Sequence, residues 1–187
     1  MKSINVEVRG IRSLIMHKMP MGEEAKELKT ITKILKKDPD NEKAYTREAE
    51  LGLYQDKDIG IYVPALWFES ALVKAGANEQ LRGSGRKTYK DMMKAFILVE
   101  PEKIPIKPQE YEVFRSCVRI GQARITRARP LIKDWKCGFK INLWDDTISL
   151  DVFRNILDYA GSYVGVGDWR PKYGLFEVTK FEEAKLR

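Results

Sequence analysis

Histidine and cysteine are nearly absent from this chain, with one histidine (His17) and two cysteines (Cys117 and Cys137) in 187 residues. These three residues fall short of the four ligands of a structural zinc site, so no metal and no cofactor is expected. A Ser-His-Asp triad would have to be built on His17, and no nucleophile-elbow sequence accompanies it. With no export signal, the two cysteines read as reduced core thiols rather than a bridge. Long uncharged runs are missing too. The longest, Ile59 to Phe68, has ten residues, half of what a membrane-spanning helix needs. Near the start, Glu7, Arg9 and Arg12 stand where a signal peptide carries an apolar block, so a soluble cytoplasmic protein with no membrane partner is expected.

Large side chains are plentiful. Hydrophobic residues make up 43% and aromatics 10%, enough to bury a core without disulfides. Lys and Arg number 34 against 27 Asp and Glu, a net charge of +7. That surplus is local. Residues 82 to 129 hold twelve Lys and Arg against five acids, and the rest of the chain balances at 22 of each. A concentrated cationic stretch favours a polyanionic partner, because guanidinium and ammonium groups pair with phosphate.

Periodicity suggests the elements. Ile4, Val6 and Val8 alternate with polar residues, as in a strand that resumes through Leu14 to Met16. Gly22 to Lys37 carries Ala25, Leu28, Ile31, Ile34 and Leu35 at helical spacing. Leu53-Tyr54 and Ile61 to Val63 read as a small hairpin, and Pro64 opens a helix that Gly76 closes. Lys87 to Ala95 reads as a helix, and the prolines 101, 105 and 108 as an irregular connection. Tyr111 to Arg129 reads as one long strand with a bulge at Gly121, partnered by Trp135 to Leu143. Ser149 caps a helix, a glycine-rich loop follows, and Leu175 to Val178 ends the series as a strand. The order strand, helix, strand-strand, helix, strand is that of a split β-α-β unit. The expected fold is α+β: a ferredoxin-like, RRM-type antiparallel sheet with helices on one face, forming a single domain over residues 1–187 with a helical insertion at about 22–52.

Three features carry a resemblance. They are a strand ending in Tyr62-Val63-Pro64, a helix reading Ala65-Leu66-Trp67-Phe68-Glu69-Ser70-Ala71-Leu72, and the glycine-rich loop Gly165 to Gly174 before the final strand. Together they resemble the RAMP superfamily of CRISPR-associated RNA-binding proteins, although the helix phrase lacks the family's glycine and serine pair. The loop also resembles uncharacterised phage proteins sharing GxGxWRPxxGxFEV, which would place the chain in a host cytoplasm. The resemblance implies RNA binding on a ferredoxin-like fold, and self-association or membership of a multi-subunit assembly.

The candidate nucleic-acid contacts follow from charge and loop chemistry. Arg82, Arg86 and Lys87 lie on a flexible basic loop, and Lys87, Lys90 and Lys94 are spaced to share a helical face. Arg127 and Arg129 share one strand face, with Arg124 on the other. In the glycine loop, Gly165 and Gly167 would let backbone amides approach a phosphate, or would simply make a tight connection. Arg170 and Lys172 would neutralise phosphate there, and Trp169 and Tyr173 would stack on bases. The expected function is a non-catalytic, backbone-directed module for single-stranded nucleic acid, RNA favoured. A metal-independent ribonuclease using His17 is one alternative, and an interaction protein or assembly subunit acting through protein contacts is another. The acids Asp145, Asp146, Asp151, Asp158 and Asp168 read as turn and cap residues.

Overall fold

The computed structural model describes residues 1–81 and 83–184. In chain order its elements are β1 (Lys2–Gly10), β2 (Leu14–Ile15), α1 (Glu23–Lys37), α2 (Glu42–Leu51), β3 (Gln55–Asp56), β4 (Gly60–Pro64) and α3 (Ala65–Gly76). Then come α4 (Lys90–Phe96), β5 (Ile97–Glu100), β6 (Lys103–Lys107), β7 (Glu112–Ile120), β8 (Ala123–Ile132), β9 (Lys136–Leu143) and α5 (Leu150–Tyr159). A π-helical turn (Ala160–Val164) leads to the glycine-rich loop and β10 (Phe176–Glu183). The protein is thus a mixed α+β molecule.

The alternation in β1 does what a period of two dictates. Ile4, Val6 and Val8 are buried, while Asn5, Glu7 and Arg9 are exposed on the opposite face. Burying each such side chain is worth roughly 1.5–3 kcal/mol. The main sheet runs β10-β1-β9-β6-β4-β3, with β5 also on β9, and its pairings are antiparallel. Phe68 and Leu72 of α3, Met93 of α4, and Phe153 and Leu157 of α5 join Ile4, Val6 and Val8 in one core. Ser149 caps α5, its hydroxyl accepting from the Val152 amide at 3.3 Å.

A second, smaller core holds α1 and α2. There α1 and α2 contribute Ile31, Leu35, Tyr45 and Ala49 against Ala128 of β8. Asn41 caps α2, its side-chain oxygen accepting from the Ala44 amide at 3.0 Å. The adjoining sheet is β2-β8-β7, in which β2 pairs with β8 only at Leu14–Ile132 and Ile15–Leu131.

Several expectations are corrected. Tyr111 to Arg129 is not one strand with a bulge. Gly121, at φ +62°, makes the tight turn of a β7–β8 ribbon. A glycine of positive φ suits either a bulge or a turn, so only the strand pairing decides between them. The partner of β9 is therefore not this ribbon but β1, with β5 and β6 on its other side. Pro105 lies inside β6 rather than in an irregular connection. It lies opposite Tyr62 of β4, and the Ile106–Lys107 stretch that follows it pairs with β9. Lys87 falls before α4, whose first residue is Lys90, so Lys87, Lys90 and Lys94 do not share a helical face. Cys137 is buried, and burial pushes its thiol up to about 12, but Cys117 is exposed on β7.

Candidate nucleic-acid interface

The basic stretch acquires its geometry from the ribbon. Phe114 faces Arg129, Ser116 faces Arg127, and Arg119 faces Arg124 directly across the strands. Arg119 and Arg124 flank the Gly121 turn, are exposed, and make no ion pair among the described residues. The Arg119 Nε–H donates to the Gly121 carbonyl at 3.0 Å, which holds its guanidinium at the tip. Opposite positions on an antiparallel pair place Cβ atoms about 5 Å apart, where like charges destabilise the pairing. Beside the tip, a cleft of about 290 Å³ is lined by Thr32, Lys36, Tyr45, Arg124 and Thr126. Arg115, on the same face of β7 but farther from the tip, is paired with Glu42 and stacked over the Tyr45 ring at 4.4 Å.

Arg127 and Arg129 behave differently, and here the expectation of phosphate contacts meets an obstacle. Arg127 Nε lies 2.5 Å from the buried Glu48 carboxylate, and its Nη1 donates to Thr32 Oγ1 at 3.1 Å. Glu48 also accepts the Ala128 amide at 3.1 Å, so its carboxylate occupies the β8 edge that β2 leaves unpaired. Arg129 pairs with Asp168 of the glycine-rich loop, the two meeting atoms both buried. Its guanidinium lies 5.1 Å from the Trp169 ring centre. Both arginines are mostly buried, with side-chain exposures of 18% and 13%. Their charges are spent within the fold, because each found a carboxylate from a distant segment.

Asp168, read from sequence as a turn residue, is therefore a structural counter-ion. Asp145 and Asp158 keep local roles, whereas Asp146 makes a pair across the length of the chain. Asp145 accepts from the Thr147 amide at 2.7 Å, Asp146 pairs with the N-terminal amine at 2.9 Å, and Asp158 pairs with Arg154 at 2.8 Å. No cluster of three or more His, Cys, Asp or Glu side chains is placed to hold a metal ion among the described residues.

His17 stands at the edge of this network, its Nδ1 3.9 Å from Asp168. Burial, Arg129 and Arg127 hold it below its ordinary value, while burial pushes Glu48 above the usual carboxylate range. The two shifts act on stability with opposite sign. A histidine with a lowered folded-state pKa leaves more protons on the unfolded chain, so stability is lost as pH falls below 6.5. A carboxyl with a raised pKa leaves more protons on the folded chain, so its contribution falls as pH rises above 4.5. Urea midpoints measured between these limits and neutrality are expected to show a weaker acid-side loss in His17→Gln than in the wild type. An identical profile would place the loss elsewhere.

The glycine-rich loop uses its own amides. Gly165 donates to Ala160, Val166 to Gly174, Asp168 to Ile15, and Gly174 to Ser13, all at 2.8–2.9 Å. A Cβ on Gly174, whose φ is +73°, would fall 1.8 Å from the Val166 carbonyl oxygen, and one on Gly167 would fall 2.6 Å from that of Ile15. These glycines are required for close packing of the loop on itself and on β2, and the donated amides are not free to cradle a phosphate. Trp169 and Tyr173 pack edge-on and tilted against Phe114 at 5.8 and 5.7 Å. Arg170 and Lys172 remain exposed, with no ion pair among the described residues.

Arg86, Lys87 and Lys90 are exposed near the C-terminal end of α3, where Tyr89 and Met93 pack on Gly76. Trp67, near the start of α3, lies beside Gly167. About 14 Å of helix axis separates the two ends, so these cations do not join the ribbon and the glycine loop in one cluster. Arg82 lies outside the described residues. Arg119 and Glu48 were not singled out from sequence. Arg119 would have emerged from a hairpin reading of the segment, which pairs the residues equidistant from the turn. Comparison with protein-family models gives no match, and comparison with curated proteins gives none. No helix among the described residues is long and apolar enough to cross a membrane.

Proposed function

We propose that this chain is a module that binds single-stranded nucleic acid, RNA favoured, through its phosphate backbone. The observation that carries this reading is the Arg119–Arg124 pair, two unneutralised guanidinium groups held face to face at a ribbon tip. The fold tolerates their repulsion, and a phosphate between them would relieve it. Arg170 and Lys172 would extend the track on the glycine loop. A ferredoxin-like, RAMP-type core is part of the proposal. In its support, β1, α3, β5–β6, β9, α5 and β10 follow one another with the strand order β10-β1-β9-β5/β6, all antiparallel. Binding of a fluorescent oligoribonucleotide is expected to weaken steeply with added salt. Undetectable binding at low salt, or affinity flat in salt, would remove the reading.

A second reading, metal-independent RNA cleavage, is favoured by one observation. His17 is half-exposed, is held towards its neutral form, and stands beside Arg127 and Arg129. A neutral imidazole is the form that accepts a proton from a 2′-hydroxyl. Labelled RNA incubated with EDTA decides it: cleavage that vanishes in His17→Ala supports an enzyme, and intact RNA with the wild type rejects it.

A further inference from the structure

The face of the main sheet opposite the core carries a groove of about 690 Å³, within the range of small-ligand sites. Its floor is formed by β1, β9 and β6 at Glu7, Arg9, Lys136, Gly138 and Lys107. One wall is the turn Asp58 to Gly60, fixed by Gln109. The Gln109 side chain accepts from the Ile61 amide at 2.6 Å and donates to the carbonyls of Ile61 at 3.1 Å and Ile106 at 2.5 Å, so the wall is preformed.

The charges on this face follow a rule with one exception. Arg9 pairs with Glu177 at 2.5 Å, Lys140 with Glu100 at 3.0 Å, and Lys103 with Asp56 at 2.5 Å. In each case a cross-strand or neighbouring acid neutralises the cation. In the groove, Arg9 stands directly opposite Lys136, and Lys136 directly opposite Lys107. Three cations therefore lie in one row across three adjacent strands, at a spacing of about 4.8 Å. Lys107 and Lys136 are exposed and have no ion-pair partner among the described residues. Like charges in direct opposition weaken a sheet; the groove also holds the carboxylates of Glu7, which lies 3.8 Å from Lys180, and Asp58, and neither makes an ion pair with Lys107 or Lys136 among the described residues. Gly138, two residues along β9 from Lys136, puts no side chain of its own on the floor, and the Glu7 side chain from β1 lies over it, its Cγ 3.5 Å from where a Cβ on Gly138 would stand.

We infer that this groove binds a phosphoryl group carried by a nucleotide, its oxygens held between the Lys107 and Lys136 ammonium groups. The neighbouring side chains Ile59 and Pro105 give the nucleoside an apolar surface. Cys137 also lines the groove, but burial keeps its thiol protonated, so the site offers binding and no nucleophile. None of the groove residues belongs to the ribbon, so this inference stands or falls separately from nucleic-acid binding at Arg119 and Arg124.

The test titrates the full chain with 5′-AMP and with inorganic phosphate, following the Gly138 amide resonance and the heat of binding. Saturable AMP binding is expected, weakened about tenfold in Lys107→Gln and in Lys136→Gln, and unchanged in the double variant Arg119→Gln/Arg124→Gln. Because each glutamine relieves a like-charge contact, neither single variant is expected to melt below the wild type. An oligouridylate that displaces AMP would identify the phosphoryl group as part of a bound strand, and simultaneous binding of both would identify a free nucleotide. Either result supports the site. No saturable binding of AMP or phosphate overturns it, as does AMP affinity indifferent to both lysines. A fall in melting temperature in the lysine variants also overturns it, because it would give the row a structural purpose.

Discussion

Glu48→Ala is expected to destabilise the protein by about 3 kcal/mol, read as a shift of the urea midpoint. Glu48 is one of only two buried polar or charged residues in the described core, and it makes two contacts at once. Truncation strands the Arg127 guanidinium in a site with little access to water and leaves the Ala128 amide without its acceptor. Removing one partner of a buried pair costs roughly 3–5 kcal/mol, and the residual exposure of Arg127 puts this case at the lower end. The pair itself is worth less than that, since burial raises the Glu48 pKa and so opposes its charged form. The double variant Glu48→Ala/Arg127→Met is therefore expected to be clearly more stable than the sum of the two single changes predicts, with a coupling of about 1–2 kcal/mol. Additive effects, or a Glu48→Ala cost below about 0.5 kcal/mol, would mean that the pair does not anchor α2 to β8.

The second large effect belongs to binding. The charge reversal Arg119→Glu/Arg124→Glu is expected to weaken oligoribonucleotide binding about a hundredfold, a change of roughly 2.7 kcal/mol. Two phosphate contacts are lost and two repulsions are added. The slope of log affinity against log salt is expected to shrink by about 0.7 for each contact removed from a single strand. The milder pair Arg119→Gln/Arg124→Gln should lose affinity without losing stability, because it removes repulsion from the ribbon. If the reversed protein binds as tightly as the wild type, the ribbon tip is not the interface. Reversal of Arg127 would be a poor substitute for this test, since it would break the Glu48 pair and confound binding with unfolding.

Much of the local structure was legible in the chain. Alternation marked β1, helical spacing marked α1 and α5, and Ser149 marked where α5 begins. The ribbon was not legible as such, because Gly121 is compatible with a bulge or a turn and the flanking residues alternate either way. The partner of β9 was missed for the same reason: register is set by pairing, not by the pattern within one strand. The candidate site was legible only as a concentration of charge. The carboxylate that neutralises Arg127 lies about 80 residues earlier, and the one that neutralises Arg129 lies about 40 residues later. No local rule connects such positions.

The sequence by itself determined the mixed α+β composition, the helical character of residues 23 to 37, and a surplus of positive charge confined to residues 82 to 129. Tertiary structure alone decided which of those cations face outward. It turned Arg127 and Arg129 inward, left Arg119 and Arg124 opposed at a ribbon tip, and brought Lys107 and Lys136 together on the far face of the main sheet. The physical reason is that net charge adds along the chain, whereas the availability of a charge depends on which opposite charge the fold delivers to within a few ångströms of it.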